Sequence, residues 1–365
     1  MSSTPLTNSN NLAKPARNSS VELLRILAMC GVVILHYNNQ SIGGGLRYAS
    51  GARYSALFFL ESLFICAVNL YILISGYFMC TSQKRSLSKP FTLLVQVCVF
   101  GAGIYLVRCI ASGGFSLKSL VSAVVPNNYF VMLYITLYLI SPYINLALKK
   151  LSDKQFHVLV ALLLTLFSLW PTLVDMLVRI SGRSSFSGLS TINAFDSQRG
   201  YTIVQFILMY ILGAYIRRNE HALRRLPALV MLAGCVAAIC GWAALATTDA
   251  WAYSNPFVIL CACFALLVAL RRPFQSKLIN RLAAGSFTCF LLHDLFIHHI
   301  GIEKAATASL PILLAHVILS AIGIYLICWI AYWVWDFVTK PLFRFAEKQL
   351  AKLDHLFSIT EPEEP

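Results

Sequence analysis

The chain has 365 residues, of which 58% are hydrophobic and only 12% charged, with a mean hydropathy of +0.71. A soluble domain carries about twice that share of charge, so the composition excludes the two or three soluble domains that length alone suggests and implies an integral membrane protein. The 29 Lys and Arg against 15 Asp and Glu leave a net charge of +14; in a membrane protein such charge is a topology signal before it is a nucleic-acid footprint, and no nucleic-acid partner is expected.

Residues 1–20 are polar and rich in Ser and Asn, and read as a disordered tail. No small-x-small cleavage site follows the first apolar run, so that run reads as an uncleaved anchor. Apolar segments near the ~20 residues that cross ~30 Å of hydrocarbon as helix then recur. Ten are predicted, at residues 21–38, 56–79, 91–111, 129–148, 156–174, 201–216, 226–246, 256–270, 283–301 and 311–337. Helices are favoured because backbone groups in lipid must be satisfied within the segment. No stretch shows the alternation of a membrane β-barrel. The predicted class is therefore all-α: a polytopic helical bundle of about ten transmembrane helices with both termini cytoplasmic.

Loop charges agree with this count. With the N-terminus inside, 20 of the 29 cations fall on inside segments and seven on outside loops, leaving Arg25 and Arg108 within apolar runs. That asymmetry is the one cytoplasmic loops carry. Residues 175–200, rich in Ser, Gly and Arg, read as a long irregular outer loop and a candidate cover for a site. The terminal residues 361–365 read as disordered. The 11 cysteines fall almost entirely in apolar runs and form no CxxC pair, so they read as small hydrophobes in helix interfaces.

Ionisable groups inside a membrane are costly and mark functional candidates. The first segment holds Glu22, Arg25 and His36. Arg25 and His36 are 11 residues apart, about three helical turns, so they share a face some ~16 Å apart along the axis. Glu22 stands three residues before Arg25 and can orient it. The competing readings are a snorkelling Arg25 and an interfacial His36 bonded to loop backbone. The second segment carries Glu61, Asn69, Tyr71 and Ser75-Gly76, the last pair suited to close helix approach. Arg108 needs an acid or a ligand phosphate, and a structural pair within the bundle is the plainer alternative. Pro142, within Ser141-Pro142-Tyr143, frees a carbonyl and permits a bend beside a cavity. Adjacent His293 and Asp294 point in different helical directions, so each is expected to find its partner on another helix. His293, His298 and His299 are too loosely co-facial to favour a metal site, and no metal is expected. There is no P-loop, dinucleotide fingerprint, serine elbow or zincin helix. On chemistry alone, an ion-driven carrier or flippase for a glycan or lipid stays open, as does a structural subunit.

The run Glu22-Leu23-Leu24-Arg25 followed by His36 resembles the opening of the acyltransferase 3 family of membrane acyltransferases, with its Arg, ten intervening residues and His. Asn69-Leu70-Tyr71 through Ser75-Gly76-Tyr77-Phe78 is similar to the family's second-helix signature, and Tyr129-Phe130 with Ser141-Pro142-Tyr143-Ile144-Asn145 to its fourth. Leu291-Leu292-His293-Asp294 stands at its late Tyr/Leu-x-His motif. Asn128 departs from the Trp of many members. Lys84-Arg85 and Lys89 replace a clear Arg-x-x-Arg, which puts donor contacts there in doubt, and the extracellular esterase-like domain of some members is missing.

The resemblance implies a transmembrane acyltransferase domain at residues 21–345 and a cytoplasmic tail at 346–365. It implies a plasma-membrane O-acyltransferase moving an acetyl-type group from cytoplasmic acyl-CoA (acetyl-CoA), a substrate and not a bound cofactor, to a cell-surface or lipid-linked glycan. Arg25 would hold the donor and His36 would be general base or transient acyl carrier. Glu22, Asn69, Tyr71, Ser75, Arg108 and His293 are the further binding candidates.

Overall fold

The computed structural model describes residues 17–126, 128–192 and 200–357. Helices stand at all ten predicted positions: α1 (Ser19–Asn38), α2 (Ala52–Met79), α3 (Ser88–Ser112), α4 (Tyr129–Lys149), α5 (Asp153–Ser181), α6 (Ile203–Arg218), α7 (Ala228–Ala250), α8 (Pro256–Arg271), α9 (Ser286–Ile297) and α10 (Leu310–Leu350). There is no strand among the described residues. Among the described residues, seven stretches are long and apolar enough to cross a membrane: α1, α2, α3, α4 counted with the short helix Leu117–Val124 before it, α5, α7 and α10. The other three, α6, α8 and α9, have 16, 16 and 12 residues.

Local sequence sets the helix ends. Asn18, Asn128, Thr202 and Asn255 each offer a side-chain oxygen to a first-turn N–H of α1, α4, α6 and α8, satisfying donors the helix itself leaves unpaired. Ser152 and Gln155 form a reciprocal capping box at the start of α5. Residues 283–301, expected as one span, are broken. A short helix, Lys277–Ala283, precedes Gly285, and α9 begins only after it. A Cβ at Gly285 would lie 2.9 Å from the Trp329 ring of α10, so the break sits where two backbones approach closely.

The expected irregular loop at 175–200 is corrected in its described part. The α5 helix continues to Ser181 through a π-helical turn at Thr165–Leu169, and a 3-10 turn follows at Ser184–Leu189. Asp175 and Arg179 resemble loop residues in sequence, but Arg179 pairs with Asp249 of α7 at 2.7 Å, so its charge is accommodated on a helix. Residues 193–199 lie outside the described residues, as do 1–16 of the tail expected at 1–20 and 358–365 of the tail expected at 346–365. Ser19 and Ser20, expected in the disordered tail, are instead the buried first residues of α1, tied down by bonds to Asn280 and the Arg272 carbonyl. The boundary at residue 345 falls inside α10, and a 3-10 turn, Ala351–Phe357, docks through Asp354, which accepts a bond from the Leu87 N–H at 2.9 Å.

The α1 helix runs through the centre, burying Met29, Val32, Val33 and Tyr37 against α2, α8, α9 and α10. The α2 and α6 helices meet most closely. A Cβ at Gly76 would lie 2.1 Å from the Tyr210 carbonyl oxygen, and one at Gly213 2.2 Å from that of Leu73. Segments expected on one side touch one another. At the basic end, Ser19 bonds Asn280, Ser20 bonds the Arg272 carbonyl, and Arg218 pairs with Asp153. At the opposite end, Arg53 donates to the carbonyls of Thr307 and Ala308, and Trp251 donates to Ser62.

Candidate active site

Two cavities lie end to end along α1. The inner one, about 260 Å³, opens beside Arg25 of α1 and Lys89 of α3, with Tyr71, Ser75 and Tyr134 on its walls. The outer one, about 740 Å³, is lined by His36, Asn39, Glu61, Asn128, His293 and Asp294 together with three tyrosines. Val32, Val68 and Phe290 line both, so an apolar collar separates the two spaces. Arg25 and His36 thus stand on two adjoining cavities, on the same side of α1, as their shared helical face predicts.

Each ionisable group at the inner end is held in place. Glu22 accepts from Arg25 Nη1 at 3.0 Å. Tyr71 donates to the Arg25 carbonyl at 2.7 Å and so ties α2 to α1, while Ser75 donates to the Tyr71 carbonyl at 2.8 Å. Lys89 Nζ donates to the Tyr134 hydroxyl at 2.9 Å and lies over the Tyr134 and Tyr138 rings, an arrangement that steadies a cation without neutralising it.

At the outer end, His293 and Asp294 find their partner on another helix, and it is the same partner. His293 Nε2 lies 3.1 Å from His36 Nδ1, and Asp294 Oδ1 lies 3.9 Å from that same nitrogen. The protonation pattern follows from the donors and acceptors. The Cys289 carbonyl, 2.9 Å from His293 Nδ1, can only accept, so His293 Nδ1 carries its proton. In the neutral ring His293 Nε2 is then an acceptor. Both neighbours of His36 Nδ1 are therefore acceptors, Nδ1 carries the His36 proton, and the lone pair is left on His36 Nε2. His293 is 3% exposed, whereas 35% of the His36 side chain is open to the cavity. This is the tautomer a general base needs, fixed by a buried neighbour.

The remaining candidates fall elsewhere. Asn69 is buried in a polar knot, donating to the Tyr253 carbonyl at 2.9 Å and accepting from Gln205, and it is on the wall of neither cavity. Arg108 is exposed on α3, away from both. Arg85, from the segment where donor contacts were in doubt, is 5% exposed and spends all five N–H groups on neutral oxygens: Ser141 Oγ, the Tyr210 hydroxyl and the carbonyls of Ser82, Lys84 and Met79. It locks the α2–α3 connection and has no donor left for a ligand. Pro142 leaves the Tyr138 carbonyl without its helical partner, and Ser141 Oγ donates to it at 2.7 Å. Lys89, read as loop charge and with Lys84-Arg85 as a departure from the family's Arg-x-x-Arg, stands on the inner cavity. Among the described residues no group of three His, Cys, Asp or Glu side chains is arranged to hold a metal ion.

A family model described as an acyltransferase domain matches residues 18–333. No curated protein and no solved structure matches the chain. The family match spans α1 through most of α10 and so takes in both cavities and the collar between them; the chain belongs to the acyltransferase 3 family of membrane acyltransferases.

Proposed function

We propose that this acyltransferase takes an acetyl-type group from acyl-CoA on the basic, cytoplasmic side and passes it to a hydroxyl of a cell-surface or lipid-linked glycan on the other side of the plasma membrane. The chain crosses the membrane ten times with both ends in the cytoplasm, the three short helices α6, α8 and α9 included. The observation that carries the reading is the pair of abutting cavities, cationic at one end and histidine-bearing at the other.

Arg25 and Lys89 attract the phosphates of coenzyme A and hold its arm at the inner mouth, where Tyr134 and Ser75 face the pantetheine amides. The thioester reaches the collar. His36 Nε2 takes the proton from the acceptor hydroxyl as its oxygen attacks the thioester carbonyl carbon. The tetrahedral intermediate collapses, the carbon–sulfur bond breaks, and the proton passes from His36 to the departing sulfur, giving the ester and free coenzyme A. While His36 is an imidazolium, Asp294 lies close enough to stabilise it. The His36→Ala protein should reach the membrane and lose transfer by about a hundredfold or more. Purified protein with labelled acetyl-CoA and glycan mass spectrometry from cells carrying each form test this; normal glycan acylation in the variant would overturn the assignment. A carrier would neither bind nor cleave acetyl-CoA.

A further inference from the structure

The outer cavity has more built into it than a base. Tyr129, Tyr201 and Tyr253 stand on one wall with ring centroids 4.8 Å apart for the first pair and 4.6 Å for the second. They come from three separate segments: the start of α4, the approach to α6 and the α7–α8 connection. The Tyr253 backbone is pinned, because its carbonyl accepts from both Asn69 and Gln205. Gly200, at φ +104°, lets Tyr201 close over Tyr253; a Cβ there would lie 2.7 Å from the Tyr253 Cβ. Glu61 lines the same cavity and accepts from Asn38 through only one of its two oxygens. Asp294 is the second carboxyl group on the walls, and no Lys or Arg lines the cavity among the described residues.

From these observations, and resting on the acyltransferase reading above, we infer that the outer cavity is a pyranose subsite for an uncharged sugar residue and rejects uronic and sialic acids. The three rings pack edge to face, which fixes them against one another. With Tyr253 buried behind, Tyr129 and Tyr201 present an apolar ring surface to the C–H face of a sugar, and aromatic side chains of this kind combine large contact area with little entropy to lose. The carboxyl oxygens of Glu61 and Asp294 accept bonds from ring hydroxyls, which turns one further hydroxyl toward His36. A sugar carboxylate brought to the same place leaves water to stand beside the two carboxyl groups of Glu61 and Asp294, and a third carboxylate in such a site is strongly unfavourable. A lipid alcohol makes no use of the carboxyls.

The test separates this inference from the acyl-transfer reading by measuring sugar binding without the donor. Saturation-transfer NMR is run on the full chain in nanodiscs with the methyl glycosides of glucose, galactose, mannose and N-acetylglucosamine, and with methyl glucuronide and galacturonide. At least one neutral glycoside should bind about tenfold or more tighter than either uronide. Tyr201→Ala should weaken it about fivefold and Tyr201→Phe should retain it, since the ring and not the hydroxyl forms the platform. No binding of any neutral glycoside, equal binding of the uronides, or an unaffected Tyr201→Ala protein would each overturn the subsite. In parallel, release of coenzyme A from acetyl-CoA by wild type and its loss in His36→Ala report the acyl-transfer reading alone. Sugar selectivity without that release sinks the chemistry and leaves the subsite standing; release without sugar selectivity does the reverse.

Discussion

A histidine acts as a base only through the nitrogen that keeps its lone pair. In the proposed reaction, that nitrogen of His36 is chosen by His293, whose own proton is committed to the Cys289 carbonyl at 2.9 Å. Replacing His293 with Phe keeps a ring in the space but removes the acceptor facing His36 Nδ1. Transfer should fall about tenfold to a hundredfold in kcat, with the acetyl-CoA dissociation constant unchanged. His293→Gln, which can still present an oxygen to His36, should lie between. An unaltered kcat in His293→Phe would remove it from the relay. Arg25 and His36 were visible in sequence because a charge or an imidazole inside an apolar run stands out. Glu22, one turn before Arg25, was legible as its partner, and His293 and Asp294 as groups that need a partner on another helix. That this partner is His36 was not, since His293 is 257 positions away and the contact exists only once α1 and α9 are packed. The same rule of intramembrane polarity also flagged Asn69 and Arg108, because it does not separate a side chain that satisfies backbone from one that meets a ligand.

Between helices, close approach and loop charge do the work that single residues cannot. Gly76 and Gly213 let α2 and α6 cross with a carbonyl of each neighbour 2.1 and 2.2 Å from where a Cβ would stand. Gly213→Ala forces those backbones apart and should cost about 1–3 kcal/mol by overpacking, seen as a lower unfolding temperature in detergent. Gly103→Ala, with nothing within 4 Å of its added methyl, is the control and should show no loss. Beyond the end of α6, the short helix Glu220–Leu223 closes a cluster in which the Glu220 carboxylate accepts from the Tyr77 hydroxyl at 2.5 Å and pairs with Arg224 and Arg217. Burial alone would raise the Glu220 pKa, but these partners outweigh it and hold the group below the usual carboxylate range. A depressed native pKa gives stability that is present above the unfolded value, ~4.3, and lost as pH falls through the native one. The unfolding temperature should therefore drop on acidification below about pH 4.5, and Glu220→Gln should flatten that part of the curve. At this scale the ten helix positions were readable from hydropathy. The broken α9 and the extended α5 were not, because Gly285 and Arg179 owe their roles to Trp329 and Asp249 on distant helices.

Across the whole molecule, the basic end and the histidine end belong to different aqueous compartments in the proposed function. The +14 net charge then acts locally. The Arg and Lys of the inner mouth concentrate an anionic donor on one side, while the described walls of the outer cavity carry none. Val32, Val68 and Phe290 line both spaces, so in the proposed reaction donor and acceptor meet at an apolar junction between them. This architecture predicts strict sidedness. In sealed vesicles, acetyl-CoA cannot cross the bilayer unaided. Inside-out vesicles, with the basic face outward, should transfer label from external acetyl-CoA to an acceptor enclosed in the lumen. Right-side-out vesicles given the same external donor should transfer none until they are permeabilised. Equal rates from both orientations before permeabilisation would mean that donor and acceptor enter from the same side, and the two-chamber arrangement would then have to be abandoned even if the chemistry at His36 stood.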